Sequence, residues 1–340
     1  MKARLLRDGE RQPARHFAIE EAILRSVDEG RSPPTLRIRR SVPALWIGLY
    51  QRPEEEIDLE AARRLDVPVM RRPNPGGAVY QDEGTLCYSC FFPKGRFFSS
   101  MRIEDPSELY AMFGNAAIGT LCRFGAEAAL SPVNDVTIGG RKVYGSAQVE
   151  HYSAIAHSGT FLLSCDIERM GTLLRPSALK YADRGFISVR ERVVNLSEAL
   201  GRRVDADDFA EALVREIALS TGLELAEEGL NEGEIALAEE LLEKKYGRPE
   251  WTYREASLRT RLVSRRSASG VMTLAAILEN DIIVKAELRG DFLVADGRAL
   301  EACLSSLAGR AVPEAIALIG PAGLPVDIAA SLEALVEDLR

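Results

Sequence analysis

The sequence predicts an α+β fold, and three observations carry that expectation. Short apolar stretches of strand length come in runs, with longer stretches of helical periodicity gathered between them. Two dipeptides suited to hairpin turns, Gly139-Gly140 and Asn280-Asp281, sit inside such runs. The pattern changes around KKYGRPEWTY, residues 244 to 253, where Gly247, Pro249 and charged residues mark a boundary. Two domains are therefore expected, over residues 1–246 and 255–340.

Taken in order, residues 16–29 read as an amphipathic helix. Phe17, Ile19, Ala22, Ile23 and Val27 recur at helical spacing, and Gly30 can end it. Strands are expected at 36–39, 45–50 and 67–70, with a helix at 57–65 between the last two. Residues 86–92 read as a buried strand. Residues 106–122 read as a helix with Leu109, Met112, Phe113 and Ala116 on one face. Gly139-Gly140 turns between two strands, and 152–163 reads as another. Helices are expected at 206–220 and 232–245. Beyond the boundary come a hairpin over 271–288 and helices near 298–307 and 332–339.

A length of 340 residues fits two domains, and 46% hydrophobic content supports sizeable cores. The net charge of −8 argues against a general nucleic-acid binder, but a local basic pocket for a small anion is compatible with it. The start MKARLLRDGERQPARH has no apolar core of the secretory kind. The longest apolar run, at 315–330, is broken by Pro321, Pro325 and Asp327 and is too short to span a membrane. Five cysteines fit a reducing cytoplasm better than a disulfide framework.

Two segments carry the chemistry. RRPNPGGAVYQDEG, residues 71–84, places two arginines ahead of adjacent glycines. NDVTIGGRKVYGSA, residues 134–147, places an Asn-Asp pair ahead of a lysine flanked by glycines. Glycines let backbone approach a ligand, and their amides can point at an anion. Arginine forks a carboxylate or phosphate, and lysine adds a compact charge. Together they describe a place where a carboxylic acid meets a nucleotide phosphate.

Order and spacing resemble the lipoate-protein ligase A family of the biotin/lipoate ligase superfamily. The resemblance runs through HFAIEEAIL at 16–24, ALWIGLYQ at 44–51, the two segments above, HSGTFLL at 157–163 and ISVRERVVNL at 187–196, and more weakly into 250–312. It implies a mixed-sheet catalytic domain like that of class II aminoacyl-tRNA synthetases and biotin ligases, with a small α+β C-terminal accessory domain. It also implies ATP and Mg²⁺, lipoate as substrate, and a lipoyl carrier domain as partner, with neither nucleic acid nor membrane.

By this likeness Lys142 is the catalytic cation, bridging the acid's carboxylate and the α-phosphate. The bland alternative is a solvated strand lysine. Arg72, Asn74, Gly76 and Gly77 would line the acyl-adenylate, although Pro73-Asn74-Pro75-Gly76 is also a strong turn sequence. The family usually reads Ser-Gly-Gly-Gly there, and Pro75 removes one amide donor. Asn134 would bond the nucleotide and Asp135 would help hold Mg²⁺; a capped turn is the plain alternative. Ala147 would leave clearance for the acyl chain. His157 stands where relatives have two histidines, the second being Ser158 here, and a core histidine is an equal reading. Arg190 and Arg192 match the family but are assigned no catalytic part. Cys87 and Cys90 form C-x-x-C, yet i and i+3 of a strand face opposite ways and no second ligand pair follows.

The expected activity is ATP-dependent lipoate ligation, with the apolar acyl chain in a narrow tunnel, fixed by few polar groups at its carboxyl end, and residues 246–254 as a hinge. The first rival is an octanoyltransferase, which needs a cysteine nucleophile. Residues 123–141 contain no cysteine, and Cys122 is expected in the core. Biotin ligation lacks its Gly-Arg-Gly-Arg loop. A non-catalytic adenylate binder is the third alternative.

Overall fold

The computed structural model describes residues 1–175, 188–254, 261–294 and 296–339. The expected domain start at 255 and Ile187 of the family-like segment lie outside the described residues.

The larger part is built on an eight-stranded mixed sheet. From edge to edge its strands are Glu224–Glu227, Lys2–Arg11, Thr35–Ser41, Thr85–Pro93, Ala154–Leu162, Arg141–His151, Asp135–Ile138 and Ala128–Ser131. The first three pair in parallel and the remaining pairings are antiparallel. Helices Glu108–Arg123 and Ala206–Thr221 share one apolar cluster with Tyr88, Cys90, Tyr144 and Phe161. Helix Pro13–Asp28 shares another with Cys87, Phe91 and Trp46. Cys87 and Cys90 thus face opposite ways, as strand geometry requires. Among the described residues no cluster of three or more His, Cys, Asp or Glu could hold a metal ion. No helix among them is long and apolar enough to cross a membrane.

Helix Pro13–Asp28 starts three residues before its expected position because Pro13 takes the first turn, where its missing N–H costs nothing. The strand Lys2–Arg11 has no counterpart in the sequence reading. Its inward positions include charged residues, which hide the alternation: Arg4 is buried and forks Glu234 at 2.7 and 2.6 Å. The edge strands Ala128–Ser131 and Glu224–Glu227 are only four residues long and left no period to read.

The C-terminal part is a four-stranded antiparallel sheet, Arg261–Ser267, Gly270–Glu279, Ile282–Phe292 and Arg310–Ala311, with helices Gly297–Ser306, Val312–Ile319 and Val326–Glu337. The hairpin turns at Asn280-Asp281, with φ of 52° and 62°. The last helix begins well before residue 332. Pro325 precedes its first turn, and Asp327 lies in that turn, where negative charge suits the helix dipole.

Strand Ala44–Ile47 stops short of residue 50 because Tyr50 leaves the larger part. Its ring stacks on Phe292 at 4.9 Å and joins the C-terminal core. The expected hinge, 246–254, contains the docked helix Pro249–Tyr253. Arg71 is fully buried and donates to the carbonyls of Gly48, Leu49, Gln51, Trp251 and Thr252 at 2.7–3.0 Å. Trp251 Nε1 donates back to Arg71 O at 2.9 Å.

Candidate active site

One cavity of about 320 Å³ lies between the glycine loop after Arg71, the hairpin of Asp135–Ile138 with Arg141–His151, and the C-terminal hairpin. Arg72, Asn74, Gly76, Gly77, Asn134, Asp135, Lys142 and Ala147 all line it.

The hairpin wall is made locally. Gly139 and Gly140 turn the chain with φ of 56° and 77°. The ladder pairs Thr137 with Lys142 and Val136 with Tyr144, so Val143 is an extra residue, a bulge. In a regular strand Lys142 and Gly145 would face opposite ways. The bulge brings Lys142 Nζ over Gly145, where an added Cβ would overlap the ammonium. Lys142 Nζ lies 2.6 Å from Asp135 Oδ1. Asn134 is tied to the same strand: its Nδ2 donates to Ser146 O at 2.5 Å, and Ser146 N donates to Asn134 O at 3.0 Å. Ala147 pairs with Ser158 on the next strand and adds no bulk to the floor.

The glycine-loop wall is assembled from distant parts. Gly48 has no side chain because Gly76 O occupies that space. Gly76 takes φ 97°, a backbone that L side chains disfavour. Arg72 turns back on its own loop, donating to Gly77 O at 2.8 Å and Pro75 O at 2.9 Å. Burial pulls its pKa down to about 10, and Asp291 opposes that shift, so it stays cationic at neutral pH. Asn74 is buried, and its Nδ2 has no partner among the described residues. A buried donor left unpaired costs about 1–3 kcal/mol, so this amide is poised for an acceptor on a ligand.

His157 does not join the cavity. Its ring stacks on Phe113 at 4.2 Å on the opposite face of the sheet, and Gln148 Nε2 approaches its Nδ1 at 3.2 Å. Burial lowers its pKa to about 3 and keeps it neutral. It is a core histidine in position and surroundings. The substituted neighbour, Ser158, is the one that faces the cavity. Its hydroxyl donates to Ser89, which donates to Glu20 Oε2 and accepts from Arg39, each at 2.8 Å. Arg37 donates to Glu20 Oε1 at 2.8 Å and also pairs with Asp8. Arg37 and Arg39 thus share Glu20, and Arg37 and Arg11 share Asp8. Part of the cavity wall is this polar, mutually bonded cluster, since Glu20, Arg39 and Ser158 all line it.

Two further groups complete the lining, one of them Arg192, to which the sequence assigned no catalytic part. Arg192 lines the cavity with its Nη2 3.9 Å from Asp135 Oδ2, because Val194 N donates to Lys142 O and docks helix Val189–Arg192 beside the hairpin. The family-like SVRERVVNL was its signal. The C-terminal hairpin contributes Arg266, Ser269, Asp291 and Leu293, for which the sequence offered no signal.

No cysteine lines the cavity. Cys122 is exposed rather than in the core, because it lies on the outer side at the end of helix Glu108–Arg123. Cys87 lies under the floor, 3.3 Å from Thr160 Oγ1, and burial pushes its thiol pKa up, away from thiolate.

A profile described as the lipoyl protein ligase A/B catalytic domain matches residues 12–218. Lipoate-protein ligase A subunit 1 of Thermoplasma acidophilum is 31% identical over 248 residues, covering 69% of this chain and 90% of that protein. Octanoyltransferase LipM of Brevibacillus brevis is 29% identical over 269 residues, covering 71% and 95%. Among solved structures, a bipartite lipoate protein ligase of Thermoplasma acidophilum, described with its E2 lipoyl domain, matches with TM-score 0.66 at 28% identity, covering 77% of this chain and all (100%) of that one. An ATP-bound lipoate-protein ligase A matches with TM-score 0.65 at 28% identity, covering 74% and 99%. P. falciparum LipL1 in complex with lipoate shares the fold over 99% of both chains, with TM-score 0.78 at 17% identity.

Proposed function

The chain belongs to the lipoyl protein ligase A/B catalytic-domain family, and on that premise we propose that it is an ATP-dependent lipoate–protein ligase. The observation that carries the reading is the composition of the cavity: it holds Lys142, paired to Asp135, and no thiol. An octanoyltransferase working through a thioester needs a cysteine nucleophile in that place.

In the first step a carboxylate oxygen of lipoate attacks the α-phosphorus of ATP. The bond to the β-phosphate oxygen breaks, and pyrophosphate leaves. Lys142 neutralises the two anions as they meet, and the Gly76-Gly77 loop with Arg72 and Asn74 holds the nascent adenylate. Asp135, a single carboxylate beside Lys142, would help hold Mg²⁺ brought by ATP, which would offset phosphate charge there. Asn134 borders the nucleotide side. In the second step the ε-amine of a lysine on a lipoyl carrier domain attacks the acyl carbon. AMP leaves with the former carboxylate oxygen, and the amine loses a proton. The ATP-bound and lipoyl-domain-associated relatives support this substrate set.

The test is transfer read by intact-protein mass. Protein, lipoate, Mg-ATP and a lipoyl domain should yield a lipoyl mass increment that requires ATP. An increment obtained instead from octanoyl carrier protein without ATP would replace this reading with octanoyl transfer, the activity named for the LipM relative.

A further inference from the structure

We propose that Asp291, contributed by the C-terminal domain, occupies the anion position of the Gly76-Gly77 loop and keeps phosphate out until a nucleotide displaces it. The proposal rests on the reading of that loop as a phosphate site.

The carboxylate lies directly against Gly77. A Cβ built there would meet its Oδ2 at 2.8 Å and its Oδ1 at 2.9 Å, so a side chain at 77 would push the carboxylate aside. Leu293 packs close to the neighbouring glycine: a Cβ on Gly76 would lie 3.1 Å from Arg72 Nη2 and 3.3 Å from Leu293 Cδ2. The cation that shapes the loop, Arg72, feels the charge of Asp291. A carboxylate beside glycine backbone and a guanidinium is in the surroundings that also recognise phosphate oxygens.

The position of Asp291 is held from both sides. Before it, Arg289 Nη1 pairs with Glu55 Oε1 at 2.9 Å, and Gly290 N donates to Tyr50 O at 3.0 Å. After it, Phe292 stacks on Tyr50 with 17° between the ring planes. Arg52 pairs with Glu287 on the same strand. Strand Ile282–Phe292 is thus fastened to the catalytic part along its final residues, and the acidic side chain is delivered to the loop rather than left at a free tip.

Two oxyanions cannot share this position without repulsion. The nucleotide therefore binds only the fraction of molecules in which Asp291 has withdrawn, and its apparent affinity is reduced by that fraction. Removing the charge with an amide of the same shape should restore it.

The experiment compares the full chain with Asp291→Asn in two measurements. Calorimetric titration with Mg-ATP should show binding tightened by about fivefold or more in the variant, the lower end of typical coupling between sites. Unchanged or weakened binding would overturn the proposal. Amide hydrogen exchange without ligand should show reduced protection over residues 74–79 in the variant. If neither protein binds ATP, the nucleotide reading of the site fails, and the exchange result still decides about Asp291: equal protection in both proteins overturns its role.

Discussion

The two walls of the cavity are built in opposite ways. The hairpin wall, from Asn134 to Ala147, is held by contacts made within a dozen residues of chain: the Asn134–Ser146 bonds, the Asp135–Lys142 pair and the bulge at Val143. The glycine-loop wall is shaped by Gly48, by Arg71 bound to Trp251 and Thr252, and by Asp291 and Leu293. The first positions a charge with local geometry. The second joins the catalytic part to the C-terminal part, so damage to it should spread.

Arg71→Ala tests that contrast most severely. Five carbonyls lose a buried donor, and the variant should lose more than about 3 kcal/mol of stability by denaturant unfolding, with the C-terminal contact loosened as well. A loss confined to activity at normal stability would erase the distinction between the walls. Gly145→Ala should do the reverse. The new methyl displaces the Lys142 ammonium, and the rate of adenylate formation should fall about 10²-fold while unfolding changes little. Steady-state kinetics beside thermal unfolding would separate the two outcomes.

A smaller effect is expected from His157, on the far face of the sheet. Its folded pKa is about 3, below the ordinary 6.5, so the unfolded chain accepts a proton that the native one refuses. Its neutral state is without penalty above about pH 6.5, and stability falls as pH drops from there toward 3. At pH 5 this loss is about 2 kcal/mol, and His157→Gln should flatten the pH slope of unfolding by one proton. Cys122→Ser should change neither stability nor activity, since the thiol is exposed and outside the cavity. A large activity loss in that variant would revive the thioester rival.

The same contrast explains what could be read from sequence. The hairpin wall was legible because Gly139-Gly140, Asn134-Asp135 and Lys142 lie in one segment, with spacing that itself encodes their proximity. Helices with clean apolar periods, such as Ala206–Thr221, were legible for the same reason. Strand Lys2–Arg11 was not, because Arg4 is buried against Glu234, far along the chain, and breaks the alternation. Arg71 and Arg72 looked alike as neighbours, yet one is a buried tie to the helix Pro249–Tyr253 and the other frames the loop. His157 and Ser158 exchanged importance because adjacent strand residues face opposite ways, and nothing local said which face carried the cavity. Asp291 entered only through tertiary packing.

The most direct test of the central claim is lipoate-dependent exchange of labelled pyrophosphate into ATP, measured for the natural chain and for Lys142→Ala. The account predicts exchange that requires lipoate and falls by about 10²–10³ in the variant, whose fold is unchanged by circular dichroism. Exchange of equal rate in both proteins, or none from the folded natural chain, would contradict it.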